Sequence, residues 1–368
     1  MAELVQNSLD AGARHVTVTR QRRRGEVALS ILDDGKGVFP DLAREEALER
    51  IATNVGHSFK LNLSPAQRQQ EMTLGKYGIG ILGFWSLGKE LEMRSRVGGS
   101  EVWSLRLVRD EEDAEVLKLP QRRIAFPGET WTEVLIRGVD PGVARLVTAR
   151  RLGDYLASEL RGQLLDRKVK LRMVDKLAQN RAVKDFLVRP QRFHGRRIPG
   201  LDEIPVPGHS PARLEIYYVG EAGGERRGAV ALTCGGTRVG DDLSAIEGGA
   251  LDHAPWSLGA LEGVVEFRDR EVAPATRRGF TPGPAADALF AALAAVEPAL
   301  NDFLARVREE RQEEEEESLA REIRRVFRPL AKRLPQYDFF DIAGESREKL
   351  ERPRSDGARL GRAGEGEE

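Results

Sequence analysis

The sequence predicts an α+β fold for its first 140 residues, and three observations carry that expectation. The opening segment from Glu3 to Ala13 has the spacing of an amphipathic helix. Two alternating stretches follow, His15-Val-Thr-Val-Thr19 and Val27-Ala-Leu-Ser-Ile31, with the period of half-buried strands. Further strand-like segments appear only after a second helix and a polar, turn-rich gap. Helix, two strands, helix, lid, helix and more strands make a layered sandwich rather than a doubly wound sheet.

In order along the chain, Gly12 closes the first helix. The basic segment Arg20 to Gly25 ends in glycine and is expected as a hairpin tip. Residues 41–52 are predicted helical, with Asp41 as N-cap. Thr53 to Leu74 is polar and is predicted to be a mobile loop. Gly75 to Gly88 suggests a glycine-rich turn entering an apolar helix. Strands are expected around Glu90–Arg96, Glu101–Val108 and Thr132–Ile136. Asp140-Pro-Gly142 marks a boundary, so that residues 1–139 form one domain and 140–283 a second, smaller α/β unit. In that unit Arg145–Leu165 is predicted helical, and Leu214–Tyr218 and Ala229–Thr233 are predicted strands. A charged helical segment, 284–345, contains the acidic run Glu313–Glu317, a solvated or coiled-coil face. Residues 346–368 are poor in apolar side chains and are predicted to be disordered.

Composition narrows the functional classes. The chain has 368 residues, enough for two domains. Charged residues make up 32% of it, yet the net charge is −1, so no global field favours nucleic acid or an anionic membrane. A single cysteine, Cys234, excludes an internal disulfide and a cysteine-built zinc site. No run of eighteen apolar residues and no signal-peptide pattern stands out. These traits predict a soluble cytoplasmic protein.

Three short stretches carry chemistry. In Glu3-Leu-Val-Gln-Asn7-Ser-Leu-Asp10-Ala11, spacings of four and three place Glu3, Asn7 and Asp10 on one helix face, with Leu4, Val5 and Leu9 toward the other. The Asn7 amide oxygen is a hard ligand suited to Mg²⁺, and Glu3 lies one turn away, where a general base for water would sit. An ordinary surface helix would have the same residue types. Asp33-Asp-Gly35-Lys-Gly37 follows a strand; its carboxylate can accept from an amino group while the glycines allow close backbone approach. The same letters also spell a simple turn. Gly75-Lys-Tyr-Gly78-Ile79-Gly80 precedes an apolar run and offers free N–H groups to phosphate. Its spacing is neither a dinucleotide fingerprint nor a Walker A loop.

Together, and in this order, the three stretches resemble the GHKL ATPases: gyrase B, heat-shock-protein-ninety chaperones, histidine kinases and MutL. The resemblance implies a Bergerat-type α/β sandwich that binds ATP with Mg²⁺, followed by a ribosomal S5-like domain. It implies that Glu3 activates water and Asn7 holds magnesium, with Asp10 and Ala11 beside them. Asp33 would read adenine with Gly35 and Gly37 nearby. Gly75, Gly78, Ile79 and Gly80 would flank the triphosphate lid, and Thr132, in Trp131-Thr-Glu-Val, would support Asp33. Within the family, Arg50 to Phe59 resembles the chaperones' entry into the lid. Fainter likeness in Gly236–Asp242, Leu261–Val265 and Ala273–Arg277 implies that Arg277 or Arg278 reaches the γ-phosphate.

Family members carry additional structure before the first box, whereas Met1 stands two residues ahead of Glu3. A truncated start and impaired turnover are therefore expected. The resulting expectation is a slow, chaperone-like ATPase switch with lid closure, a protein client and a homodimeric state. The alternatives are a nucleotide-binding scaffold with little turnover and a DNA-acting subunit like those of MutL or the topoisomerases. For the last, only the Arg20–Arg24 cluster speaks. A sensor kinase has least support, because each of the five histidines is isolated.

Overall fold

A computed structural model describes residues 1–60, 83–109, 111, 114–120, 128–166, 168–177, 184–220, 228–269, 272 and 281–333. The first layer begins with helix α1 (Ala2–Asp10), then strands β1 (His15–Arg23) and β2 (Glu26–Asp33), then helix α2 (Arg44–Lys60). After it come β3 (Glu90–Arg96), β4 (Trp103–Val108), β5 (Glu115–Lys118) and β6 (Trp131–Arg137). Three short helices follow: α3 (Pro141–Leu146), α4 (Ala149–Glu159) and α5 (Arg161–Asp166). β7 (Lys170–Asp175) and β8 (Lys184–Leu187) then complete an eight-stranded sheet in the order β5-β4-β3-β6-β2-β1-β7-β8. The mixed α+β architecture expected from the sequence is present, and its sheet draws two strands from beyond the Asp140-Pro-Gly142 turn.

Strand alternation gives this sheet two unlike faces. On one, Val16, Val18, Leu29, Ile31, Leu91, Met93, Val134 and Ile136 are buried in a core shared with Leu4, Val5 and Leu9 of α1. On the other, charges replace carbon. Arg94 donates to Glu92 at 2.6 Å and to Glu133 at 3.3 Å, and Arg137 pairs with both Glu90 and Glu92. Burial raises the pKa of the Glu133 carboxyl, with Arg94 opposing. The Glu92 carboxyl is also desolvated, but Arg94, Arg137 and Ser104 together hold it below the ordinary carboxylate range. The face is therefore a cross-strand ion ladder, in which each buried acid has a cation beside it.

Four local expectations change. The Arg20–Gly25 tip shrinks to Arg24-Gly25, because β1 runs on to Arg23 opposite Glu26. Arg20 is fixed by Asp175 of β7 and the Ala144 carbonyl rather than left in solvent. Asp41 does not cap α2, which starts at Arg44. The Arg44 guanidinium donates to the Val38, Phe39 and Leu42 carbonyls and winds 38–42 into a turn outside the helix. The predicted loop from Thr53 is helical through Lys60, since α2 continues to that residue. The single helix expected over Arg145–Leu165 is three, divided at Thr148, whose hydroxyl caps α4 by accepting from Arg151 N–H.

A second sheet follows. β9 (Arg196–Arg197), β10 (Glu203–Ile204), β11 (Ala212–Tyr218), β12 (Val230–Cys234), β13 (Thr237–Gly240) and β14 (Leu261–Glu266) assemble as β10-β11-β14-β12-β13, with β9 also pairing β11. Helix α6 (Pro284–Ala295) buries Leu289, Phe290 and Leu293. By length and composition alone the helical stretch from Pro284 could cross a membrane, but the buried face of α6 is that of a core helix. The chain divides into two compact units, Met1–Glu297 and Pro298–Glu368. Nearly all of helix α7 (Glu297–Arg333) lies in the second unit, and it carries its own i,i+4 pairs, Arg311 with Glu315 and Arg321 with Glu317. The 346–368 tail lies outside the described residues.

Candidate functional site

A cavity of about 490 Å³ opens between α1, the turn after β2, α2 and the strands β3 and β6. Its apolar wall comes from Leu4, Val38, Phe39, Ile51, Met93 and Val134. Its polar points are Asn7, Ser8, Asp10, Asp33, Lys36 and Thr132. A mostly apolar cleft of this size with a few fixed polar groups suits a flat heterocycle carrying a polar tail.

Asp33 anchors the cavity. It is the last residue of β2 and faces the same side as Leu29 and Ile31, so the strand that builds the core also delivers the carboxylate. Asp33 is only 6% exposed. Ser8 Oγ donates to its Oδ2 at 2.7 Å, and Gly35 N–H donates to its Oδ1 at 2.9 Å. Burial pushes its pKa above the ordinary value of 3.8, with both hydrogen bonds opposing and neighbouring Asp34 adding to the rise. Asp34 points elsewhere. It accepts from the backbone N–H groups of Arg14 and His15 and contacts the His15 ring at 2.7 Å. Burial works against its charge too, but these partners win and lower its pKa. Two adjacent aspartates thus do separate jobs, one aimed into the cavity and one stitching the outside.

Thr132 stands directly opposite Asp33 in the β2–β6 ladder and is likewise buried. The turn between Asp33 and Gly37 is clipped to α1 by Lys36 N–H donating to the Ala11 carbonyl at 2.9 Å. Gly35 permits that approach: a Cβ there would lie 2.8 Å from Ala11 Cβ. Gly37 adopts φ +81°, and a Cβ would meet Val97 at 2.6 Å, so both geometry and space demand glycine.

On α1 the faces divide as the spacing predicts. Leu4, Val5, Ser8 and Leu9 are buried, whereas Asn7 and Asp10 are exposed and line the cavity. Glu3 is half-buried one turn before Asn7 and is not among the cavity's lining residues. An exposed amide oxygen at the cavity edge fits Mg²⁺, which takes one or two protein oxygens and completes its shell with phosphate and water. No cluster of three His, Cys, Asp or Glu side chains able to hold a metal occurs among the described residues. Gly75, Gly78, Ile79, Gly80, Arg277 and Arg278 lie outside the described residues.

The structure thus brings together Asn7, Asp10, Ala11, Asp33, Gly35, Gly37 and Thr132. Sequence reasoning missed Ser8, Lys36, Phe39, Ile51 and Met93. Only Ser8 left a signal, a lone hydroxyl on the Leu4–Val5–Leu9 face. Ser8→Ala removes the hydrogen bond to a buried carboxylate, and we expect a loss of about 1–3 kcal/mol in unfolding free energy, measured by urea denaturation.

Comparison with known proteins bears on the first part of the chain. Residues 1–134 match the family described as histidine kinase-, DNA gyrase B- and HSP90-like ATPase. The match supports a GHKL-type ATPase domain there, which implies ATP binding. Among individual proteins, the chain is similar to the DNA mismatch repair protein MutL of Rhizorhabdus wittichii, 36% identical over 107 residues. Those residues are 29% of this chain and 16% of that MutL, so the chain spans a small part of its relative's length.

Proposed function

We propose that the chain binds Mg²⁺-ATP in the α1–β2–β6 cavity and hydrolyses it slowly, using closure around the nucleotide as a conformational switch. The observation that carries this is Asp33: a buried carboxylate, fixed by Ser8 and Gly35, opposite Thr132 in a cleft with apolar walls. Such a group accepts from the adenine amino group while Leu4, Met93 and Val134 contact the ring. Asn7 would hold Mg²⁺, which on binding offsets the charge of the phosphate oxygens. Glu3 orients and deprotonates the attacking water, and Arg277 or Arg278 supplies positive charge at the γ-phosphate. Closure does work only if ATP favours the closed state over the open one.

The first test is calorimetric titration of ATP with Mg²⁺; saturable binding supports the proposal and its absence ends it. The acid side gives a second. Adenine recognition needs the ionised carboxylate, and burial raises the Asp33 pKa. Affinity should therefore be complete above that raised value and fall as pH descends through it, with a midpoint above 3.8. The linkage to folding has the opposite sign: protonating Asp33 favours the folded state, and ionisation above the raised pKa costs stability. A binding profile flat to pH 4 would exclude Asp33 as the reader.

The output of the switch has two readings. The Arg50–Phe59 likeness favours a chaperone-type cycle on a protein client. The 107-residue similarity to a DNA mismatch repair protein, MutL, favours a DNA-acting subunit working as a homodimer. Salt-dependent DNA binding is the signature of the second, because phosphate contacts release counterions.

A further inference from the structure

We infer that Thr237, at the tip of the β12–β13 hairpin in the second sheet, positions the nucleotide helix α1 through Gln6; this rests on the ATP site proposed above. Gln6 is only 3% exposed and lies on the flank of α1 between two partners. Its Nε2 donates to Asp10 Oδ1 at 3.0 Å, and its Oε1 accepts from Thr237 Oγ1 at 3.2 Å. The polarity is forced. An ionised Asp10 can only accept, so the Gln6 amide must turn its NH₂ toward it, which aims the carbonyl oxygen at Thr237. The threonine hydroxyl then supplies the donor. The result is a directed chain, Thr237 to Gln6 to Asp10, from the second sheet to a residue that lines the cavity.

Helix α1 needs such a support. It has nine residues, no side-chain N-cap, and no basic residue in its last turn. Helices this short do not hold themselves in water, so tertiary contacts set the orientation of α1. Leu4, Val5 and Leu9 fix the helix to the sheet. The hydrogen bond between Gln6 and Thr237 ties it to the second sheet.

The hairpin tip is itself seated firmly. Gln163 Nε2 donates to the Gly235 carbonyl at 2.6 Å, and Gln163 N–H to the Gly236 carbonyl at 3.3 Å. Glu266 accepts from Gly236 N–H at 3.1 Å. The backbones of α5 and the tip touch so closely that a Cβ on Gly162 would lie 2.4 Å from Gly236 Cα. A movement of the second sheet is therefore delivered to Gln6 through Thr237 rather than absorbed in a loose turn. Thr237 and Gln6 are positioning residues: they act on Asp10 and on Asn7, one residue along the same helix.

The test uses the full chain and its nucleotide affinity with and without Mg²⁺, with hydrolysis as a second readout. Thr237→Val keeps the shape and removes the donor; Thr237→Ser keeps the donor. We expect Thr237→Val to reduce the Mg²⁺-dependent gain in ATP affinity by about fivefold, the worth of one net hydrogen bond. ADP affinity without Mg²⁺, which depends on Asp33, should stay unchanged, and Thr237→Ser should restore the wild-type behaviour. In a double-mutant cycle with Gln6→Met the effects should not add, because the two residues act as one chain. Wild-type Mg²⁺ dependence in Thr237→Val, failure of Thr237→Ser to restore it, or additive effects would overturn the inference while leaving the ATP site standing. A wild-type chain that binds no ATP would instead remove the ATP site, and this inference with it.

Discussion

Asp33→Asn should lose nucleotide affinity on the order of 100-fold while the protein remains folded. The two outcomes separate because of which donors face the carboxylate. Gly35 N–H is a fixed donor and claims one oxygen. An asparagine must therefore turn its carbonyl oxygen to Gly35 and its NH₂ toward Ser8. Ser8 accommodates this: its hydroxyl can rotate to accept, and its Oγ already lies 3.4 Å from the Leu4 carbonyl oxygen, an alternative acceptor for its proton. Burial disfavours the charge of Asp33, so replacing it with a neutral isostere costs the fold little at neutral pH. An arriving adenine, however, meets an amino group where it needs an acceptor. Exchanging a charge-assisted hydrogen bond for two opposed donors is worth about 3 kcal/mol, which sets the 100-fold figure. Calorimetric titration beside a thermal melt reads both halves. A variant that binds ATP as well as the wild type, or that fails to fold, would show that Asp33 has a different task.

That prediction was reachable from the sequence because the informative features were local. α1 could be read from spacing, and its polar face with Asn7 and Asp10 emerged where the 3.6-residue period places it. The strand His15–Thr19 and the segment Glu90–Arg96 were legible because alternation survives when one sheet face is core and the other is not. What was not legible depends on distant partners. The Asp41 cap is a local exception, lost because Arg44 gathers the carbonyls of Val38, Phe39 and Leu42 and displaces the helix start to itself. The Arg20–Gly25 segment looked like a solvated tip because Asp175, which pairs with Arg20, is 155 residues away. Glu92 and Glu133 sit buried in a sheet only because Arg94 and Arg137 cross from neighbouring strands. Ser8 and Thr237 belong to the same class: their importance lies in a partner that no local window contains.

Glu3 poses the sharper functional question, because it is the residue whose loss should separate binding from turnover. It lies in the first turn of a helix with no capping side chain, half-buried and one turn before Asn7. A carboxylate there also favours the positive end of the helix dipole, by about 0.3–1 kcal/mol. Glu3→Ala removes both the base and that contribution; Glu3→Gln keeps the shape and removes only the base. If Glu3 takes the proton of the attacking water, both variants should lose hydrolysis by about 10²- to 10⁴-fold, the usual worth of a positioned general base. ATP affinity should remain, since Asp33, Thr132 and Asn7 are untouched, so nucleotide stays bound and unhydrolysed. Single-turnover assays with labelled ATP measure the rate, and titration measures the affinity. Equal turnover in wild type and Glu3→Gln, at whatever level, would place the base elsewhere. Were that shared level no higher than background, the chain would be a nucleotide-binding scaffold. Its output would then come from the bound state alone, because the energy of the phosphoanhydride would never be released.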